Sequence, residues 1–315
     1  MSPPEDTFEL DKAGVRAAFD RAGPTYESTA VLQSRVAEEL LSRLEPFDFH
    51  PAVILDLGAG TGRLTGELKR RYRRSLVIAL DLAPGMLREA ARHQRFLRRF
   101  ARVCADASRL PLAAGSVDIV FSNLMLQWCD PLDETLAQVR RVLKPRGFFL
   151  FSTFGPDTLK ELRSAWAAVD SYNHVNRFLD MHDVGDALVR AGFLEPVLDV
   201  ERLQVTYGDA LDLMRDLKAI GARNVTAGRA RSLAGRARLQ RVLTAYEAFR
   251  KDGRLPATYE VVYGAAWGEP PKSAGARAGG PGGGGGVSSR GASPGKAGTP
   301  GEVRISPSEI QRRKP

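Results

Sequence analysis

The chain has 315 residues, of which 43% are hydrophobic, and it carries a formal net charge of +9. This length and apolar content suffice for the core of one large domain or two small ones. The sequence has no apolar run of about 18 residues, and residues 1–12 are acidic and polar, so it predicts neither a membrane span nor a signal peptide. We therefore expect a cytoplasmic protein.

The two cysteines, Cys104 and Cys129, stand apart in the sequence. They form no CxxC pair and no histidine cluster accompanies them, which disfavours a disulfide framework and structural zinc. We predict two buried thiols and no metal site.

Basic residues form runs at residues 69–74, 92–102 and 223–241 and recur in the C-terminal segment. Aromatic residues that stack on nucleic-acid bases are sparse there. Solvated helix faces and a docking surface for an acidic protein both explain these runs. We expect no nucleic-acid partner and no membrane partner.

Two helices are predicted over residues 11–44, with a break at Gly23-Pro24. From residue 53 onwards, short apolar runs typical of strands alternate with amphipathic stretches typical of helices. The predicted strands are 53–55, 76–80, 101–104, 117–122 and 148–153. Helices are expected at 63–74, 84–93 and 131–143, and a turn at 144–147. This alternation predicts an α/β fold with a parallel sheet and right-handed crossovers.

The C-terminal half continues with helices predicted at 156–166, 183–191, 210–220 and 231–250 and strands at 197–207 and 259–267. Residues 170–180 lack periodicity, and we expect them to form a loop over the site. Residues 273–299 are dominated by Gly, Ser, Ala and Pro, including five consecutive glycines at 282–286. Such a composition buries too little apolar area to order itself, so a disordered tail is predicted.

A glycine-rich loop follows the first predicted strand, with the sequence Asp56-Leu57-Gly58-Ala59-Gly60-Thr61-Gly62. Glycine lacks a Cβ, so backbone here approaches a ligand closely. The spacing is tighter than the GxGxxG of dinucleotide sites, and an acid precedes it. S-adenosylmethionine has an ammonium group and no phosphate. We predict that Asp56 pairs with that ammonium while residues 58–62 pass beneath the methionine carboxylate.

Further polar residues stand where the next three strands end, and the carboxyl ends of strands bind ligands in open α/β sheets. Asp81 is predicted to accept both ribose hydroxyls, and Asp106 to accept from the adenine amine. The predicted cofactor contacts at these strand ends are Asp81, Leu82, Met86, Asp106, Ala107, Asn123 and Leu124.

Stretches outside the cofactor loop make the sequence resemble one methyltransferase family. Residues 18–27 (AFDRAGPTYE), 122–129 (SNLMLQWC), 174–179 (HVNRFL), 214–222 (MRDLKAIGA) and 256–260 (PATYE) are similar to the malonyl-acyl carrier protein O-methyltransferases of biotin synthesis. The similarity extends to near residue 268.

The resemblance implies a Rossmann-like class I methyltransferase fold with a mostly parallel seven-stranded sheet and helices on both faces. Residues 1–48 would form a helical cap over the cofactor. Residues 49–268 would form the methyltransferase domain, with substrate-covering insertions near 156–182 and 208–255. Residues 269–315 would form the disordered tail.

The implied reaction moves the methyl group of S-adenosylmethionine to the free carboxylate of malonyl-acyl carrier protein. Tyr26 is expected to cover the cofactor near the transferred methyl, and Gln33 to touch the methionine carboxylate. Arg177 is the first candidate for a cationic clamp on the substrate carboxylate, because guanidinium binds carboxylate in bidentate fashion. His174 and Arg21 are alternatives.

Other interpretations remain open on sequence grounds. Residues 155–163 and 259–267 also resemble the methyltransferase-like arginine hydroxylase of complex I assembly, and a quinone or other small-molecule methyltransferase is a broader alternative. Free malonyl-coenzyme A is an alternative acyl substrate. A non-catalytic module, binding cofactor or using its basic tail on nucleic acid, belongs to a second class.

Overall fold

An eight-stranded sheet organises the chain in a computed structural model that describes residues 10–96, 98–222, 235–268 and 303–305, the last three as backbone only. The strand order is β3-β2-β1-β4-β5-β7-β6-β8. The strands are β1 Val53–Leu57, β2 Leu76–Asp81, β3 Ala101–Cys104, β4 Val117–Asn123, β5 Leu143–Phe154, β6 Leu194–Tyr207, β7 Leu255–Trp267 and β8 Val303–Ile305.

The first five strands are parallel, and β7 lies antiparallel between β5 and β6. This mostly parallel arrangement of β1 to β7 confirms the predicted class I methyltransferase fold. The three-residue β8 pairs with β6 in parallel and was not predicted. The remainder of the predicted tail, residues 269–302 and 306–315, lies outside the described residues.

Helices cover both faces of the sheet. They are α1 Lys12–Thr29, α2 Val31–Ser42, α3 Arg63–Arg71, α4 Pro84–Ala90, α5 Leu132–Val142, α6 Lys160–Ala167, α7 Met181–Arg190, α8 Ala210–Ala219 and α9 Arg236–Glu247. Neighbouring residues of a strand point to opposite faces. Ile54 thus joins the core beneath α2 and α3, and Leu55 the core beneath α5 and α7. Burial on both faces explains why β1 and β4 read as continuous apolar runs.

The N-terminal helices break at Ala30, so the predicted break at Gly23-Pro24 is wrong. Pro24 lies inside α1, where its missing N–H leaves the Asp20 carbonyl without a helical donor. The Asp20 carboxylate accepts a hydrogen bond from the Gly85 amide of α4. A Cβ on Gly85 would lie 2.8 Å from the Asp20 carbonyl oxygen. Close packing of α1 on α4 thus holds the helix continuous through its proline.

Other boundaries also differ from the predictions; β6 and β7, for example, begin at Leu194 and Leu255 rather than at 197 and 259. The predicted turn at 144–147 belongs to β5, which begins at Leu143; the register with β4 shifts there and Arg146 has a φ of +64°. Helix α6 begins at Lys160 rather than at 156. Helix α9 covers 236–247 of the predicted 231–250, and residues 231–234 lie outside the described part of the chain. Residues 170–180 form no helix or strand, as expected.

The two thiols differ in exposure. Cys104 is exposed, because it ends the edge strand β3, and Cys129 is half-buried. The prediction that both are buried is therefore wrong for Cys104. No helix within the described residues is both long and apolar enough to span a bilayer.

Candidate active site

The glycine-rich loop turns sharply between β1 and α3. The amides of Gly58 and Ala59 both donate to the Leu80 carbonyl, at 2.8 and 3.0 Å, which ties the loop to the end of β2. Gly58, Gly60 and Gly62 have φ values of +76°, +54° and +76°, a region that disfavours side chains.

Two of these glycines face different surroundings. A Cβ on Gly62 would lie 2.6 Å from the Ala90 Cβ, so this position serves the packing of α3 against α4. A Cβ on Gly60 would meet no atom within 4 Å, because the space above it is open. The loop therefore forms a cradle at Gly60 into which a ligand fits.

Three cavities share Tyr26, and this loop lines two of them at the carboxyl ends of the parallel strands. The first cavity contains the predicted cofactor residues Gly58, Gly60, Asp81, Leu82, Met86, Asp106, Ala107, Asn123 and Leu124. The third cavity, on the other side of the loop, contains Gln33, Asp56, Gly58, Ala59, Gly60, Thr61 and Asn123. The structure thus brings these predicted residues together, whereas Gly62 lines neither cavity.

Asp81 fastens the loop to the end of β2. Its carboxylate accepts from the amides of Gly60 and Ala83, both at 2.8 Å. Burial raises the pKa of this carboxyl. A carboxylate has about four lone-pair sites, so acceptor capacity remains for a ligand with neighbouring hydroxyls.

Asp106 is held by a contact that crosses from the N-terminal helix. Its Oδ1 accepts from the Ser108 amide at 2.9 Å, and the Lys12 ammonium lies 3.2 Å from its Oδ2. Lys12 lines the first cavity, and sequence reasoning missed it. No local signal marks it, because 94 residues separate the two partners.

Asp56 is 1% exposed and accepts a hydrogen bond from the Thr65 hydroxyl. Burial raises the pKa of Asp56 to about 7, since removing a carboxylate from water disfavours its charged form. The third cavity thus contains an acid whose charge changes near neutral pH. Arg63, which bonds to Glu38 at 2.8 Å, also lines this cavity and was not predicted.

Tyr26 lines all three cavities. Burial and the charge of Asp81 raise the pKa of its hydroxyl, which therefore remains protonated at neutral pH and able to donate a hydrogen bond. The first and second cavities also share Phe19, Leu124 and Trp128, and the rings of Phe19 and Trp128 meet edge to face at 5.3 Å. Tyr26 thus stands where the cavities meet.

The second cavity extends from that junction to residues 174–178. His174 lines it, stacks on Trp166 with ring centroids 3.6 Å apart, and bonds through Nε2 to Asp170 at 2.8 Å. The Arg238 guanidinium of α9 donates to the same carboxylate at 2.6 Å. These contacts tie the irregular segment to α6 and α9.

The predicted clamp residues occupy different positions. Arg177 and Arg21 are exposed and line none of the three cavities, whereas His174 does. Asn176 and Phe178, on either side of Arg177, line the second cavity and were not predicted. Within the described part of the chain, no group of three or more His, Cys, Asp or Glu side chains has an arrangement suited to a metal ion.

Comparisons with known proteins agree with this geometry. Residues 55–151 match the family described as a methyltransferase domain. Two solved structures share the fold: the YcgJ protein from Bacillus subtilis has a TM-score of 0.54 at 13% identity, with 74% of this chain and 99% of that one covered. A SAM-dependent methyltransferase from Thermotoga maritima has a TM-score of 0.50 at 16% identity, with 81% and 100% covered.

Curated relatives are much closer in sequence. A malonyl-[acyl-carrier protein] O-methyltransferase from Methylovorus sp. is 55% identical over 83% of this chain and 90% of its own length. A protein of the same name from Halorhodospira halophila is 47% identical over 99% of both chains. These names give no support to the arginine hydroxylase or quinone alternatives. The chain belongs to the malonyl-[acyl-carrier protein] O-methyltransferase family of S-adenosylmethionine-dependent methyltransferases.

Proposed function

We propose that this chain methylates the free carboxylate of a malonyl thioester carried by acyl carrier protein, giving the methyl ester that primes pimeloyl and biotin synthesis. One observation carries the proposal: Tyr26 lines both the cavity at Gly60 and a separate second cavity whose lining side chains are mostly apolar. Two reactants entering from opposite sides would meet at that point.

The residues of the first and third cavities suit S-adenosylmethionine, which supplies an electrophilic methyl group on a sulfonium. Asp81 has acceptor capacity for the ribose hydroxyls, and Leu82 and Met86 offer apolar surface for adenine. Asp56 lies in the third cavity, which would hold the methionine portion beside Gln33. Asn123 and Leu124 would lie near the sulfonium, between the two portions.

The chemistry asks little of the protein beyond placement. A carboxylic acid is already ionised at neutral pH, so no general base has to remove a proton. An oxygen of the substrate carboxylate forms the new bond to the methyl carbon, and the electrons of the broken carbon–sulfur bond stay on sulfur. Holding two reactants in line contributes on the order of 7–11 kcal/mol.

Side chains at the junction would perform that placement. The Tyr26 hydroxyl remains a hydrogen-bond donor and would orient a carboxylate oxygen. Phe19 and Trp128 would shield the reacting atoms from water, since both side chains line the first and second cavities and their rings pack edge to face.

The substrate carboxylate also requires a cationic partner. His174 is the candidate that this arrangement favours, because it lines the second cavity. Arg177, the first candidate from the sequence, stays a prediction: it is exposed and lines none of the three cavities. Substitution of the residue that binds the substrate carboxylate should abolish turnover and leave the affinity for S-adenosylmethionine unchanged.

The direct test incubates the purified protein with S-adenosylmethionine and malonyl-acyl carrier protein and follows the acyl group by mass spectrometry. We expect a gain of about 14 Da, the mass of one methylene, and no gain on acetyl-acyl carrier protein, which lacks a free carboxylate. Tyr26→Phe should slow the reaction by about 10²-fold or more, as loss of a positioned donor does. An unmodified malonyl group would overturn the proposal.

A further inference from the structure

Asn176 lines the second cavity and is only 7% exposed, yet its Oδ1 receives no hydrogen bond from the described residues. Three other polar side chains of that cavity are engaged by the protein. Gln127 donates to the Leu124 carbonyl at 2.6 Å, and His174 bonds to Asp170. Thr158 bonds to the backbone of Glu260. Asn176 therefore differs from its neighbours in leaving a buried acceptor unpaired.

An unpaired buried acceptor lowers the stability of the folded chain, and native proteins seldom retain one without a reason. The side chain already lies on the cavity wall. A ligand that binds its oxygen would break no hydrogen bond between that oxygen and the described residues. The geometry points to a ligand that supplies the missing donor.

The position of Asn176 limits which part of a substrate it meets. Asn176 belongs to the second cavity and not to the first, whereas Tyr26, Leu124 and Trp128 belong to both. If the carboxylate is methylated at this shared end, the thioester and whatever follows it extend along the second cavity. Asn176 would then contact the portion beyond the acyl group.

The chemistry of the missing donor identifies that portion. A malonyl thioester has only acceptor oxygens once its carboxylate is ionised, so it offers nothing to Oδ1. The first N–H of a pantetheine-type arm is the amide that follows the sulfur after two methylene groups. We propose that Asn176 binds this amide and accepts its N–H at Oδ1, an inference that rests on the proposed function.

The surroundings make such a contact selective. Val175, Phe178, Leu217 and Ile220 are apolar members of the same cavity. A thioester without the N–H would leave the Asn176 oxygen unpaired among them, and sites that bury polar groups discriminate against substrates that leave those groups unpaired. The contact with the amide would therefore select substrates that have the pantetheine-type arm. Residues where the first and second cavities meet would select substrates that have the free carboxylate.

The test compares the malonyl thioester of N-acetylcysteamine with its analogue in which an ester oxygen replaces the amide N–H. The wild-type enzyme should show about tenfold higher kcat/KM for the amide, the effect of one hydrogen bond in a buried site. Asn176→Leu should lose that preference and lower kcat/KM for malonyl-acyl carrier protein about tenfold. Asn173→Leu, a change of the same kind at a residue that does not line the cavity, should retain the preference.

Folding is checked independently of activity. Because Asn176→Leu removes an unpaired acceptor, its thermal midpoint should not fall below that of the wild type, and its affinity for S-adenosylhomocysteine should be unchanged.

Equal kcat/KM for the two thioesters in the wild type would overturn the inference while leaving the proposed function intact. A preference that survives in Asn176→Leu would overturn it as well. Failure to methylate malonyl-acyl carrier protein would instead overturn the proposed function, and with it the inference.

Discussion

Asp56 shows how one buried side chain couples the cofactor site to pH. It is 1% exposed, and the charge of Asp81 adds to the effect of burial in raising its pKa to about 7, while the Thr65 hydroxyl opposes the shift. Before a ligand binds, Asp56 is therefore mostly protonated below about pH 7. A bound ammonium group would favour the ionised form and release that proton.

We predict that S-adenosylmethionine binding releases a proton at pH 6, where Asp56 is mostly protonated before binding and the ligand amine is already charged. Affinity should accordingly rise with pH up to about 7. Calorimetry in buffers of different ionisation enthalpy at pH 6 measures the release. Asp56→Asn should abolish the release and flatten the pH profile, since an amide does not ionise. Proton release undiminished in that variant would assign the titration to another group.

At the scale of an element, the loop between β1 and α3 uses chemically identical residues for different purposes. Gly60 and Gly62 both have positive φ, so alanine at either position incurs a backbone strain of about 1–2 kcal/mol. They differ in what a Cβ would touch: open space at Gly60, and the Cβ and backbone of Ala90 at Gly62. The motif alone does not distinguish the two positions.

Gly60→Ala should therefore mainly weaken ligand binding, whereas Gly62→Ala should mainly lower the stability of the fold. Gly62→Ala should lower the free energy of unfolding by about 1–3 kcal/mol more than Gly60→Ala, the usual cost of overpacking. Gly60→Ala should weaken binding of S-adenosylhomocysteine about tenfold or more, because its methyl group occupies the ligand's space. Denaturant unfolding and calorimetry on both variants provide the comparison. Equal losses of stability would contradict the packing role of Gly62.

At the scale of the whole molecule, the distribution of basic side chains suggests where an acidic carrier would dock. Arg238 of α9 contacts the segment that walls the second cavity, and Arg236 and Arg241 of the same helix are exposed. The part of the basic run at 223–241 that precedes α9, residues 223–234, lies outside the described residues. Arg73 and Arg74 are exposed too. They follow the end of α3, which runs from the cofactor loop towards the amino ends of the parallel strands and so away from the site.

Charge reversal at Arg236 and Arg241 together should raise KM for malonyl-acyl carrier protein about five- to tenfold at low salt, because opposite charges steer docking. Turnover of malonyl-N-acetylcysteamine, a small substrate without a carrier protein, should be unaffected. The matched control reverses Arg73 and Arg74 and should change neither. An equal effect of both double variants would refute docking at α9 and leave only a net-charge effect.

The sequence by itself determined the order of strands and helices, the glycine loop, and the acids at strand ends. These features depend on local patterns: apolar runs, glycine spacing, and a polar residue where a strand stops. Parallel strands present their carboxyl ends at one edge, so Asp56, Asp81 and Asp106 were expected together, and they line adjoining cavities. The family resemblance added Tyr26 and Gln33, which no spacing rule singles out.

Only the tertiary structure decided contacts between distant segments. Pro24 stays within a helix because α4 packs against α1, Lys12 reaches Asp106 across 94 residues, and His174 is held by Asp170 and Arg238. Which residues of the 174–178 segment line the cavity was equally invisible, because an irregular backbone has no period from which to predict the inward side chain. Packing between elements, rather than propensity within them, selects those positions.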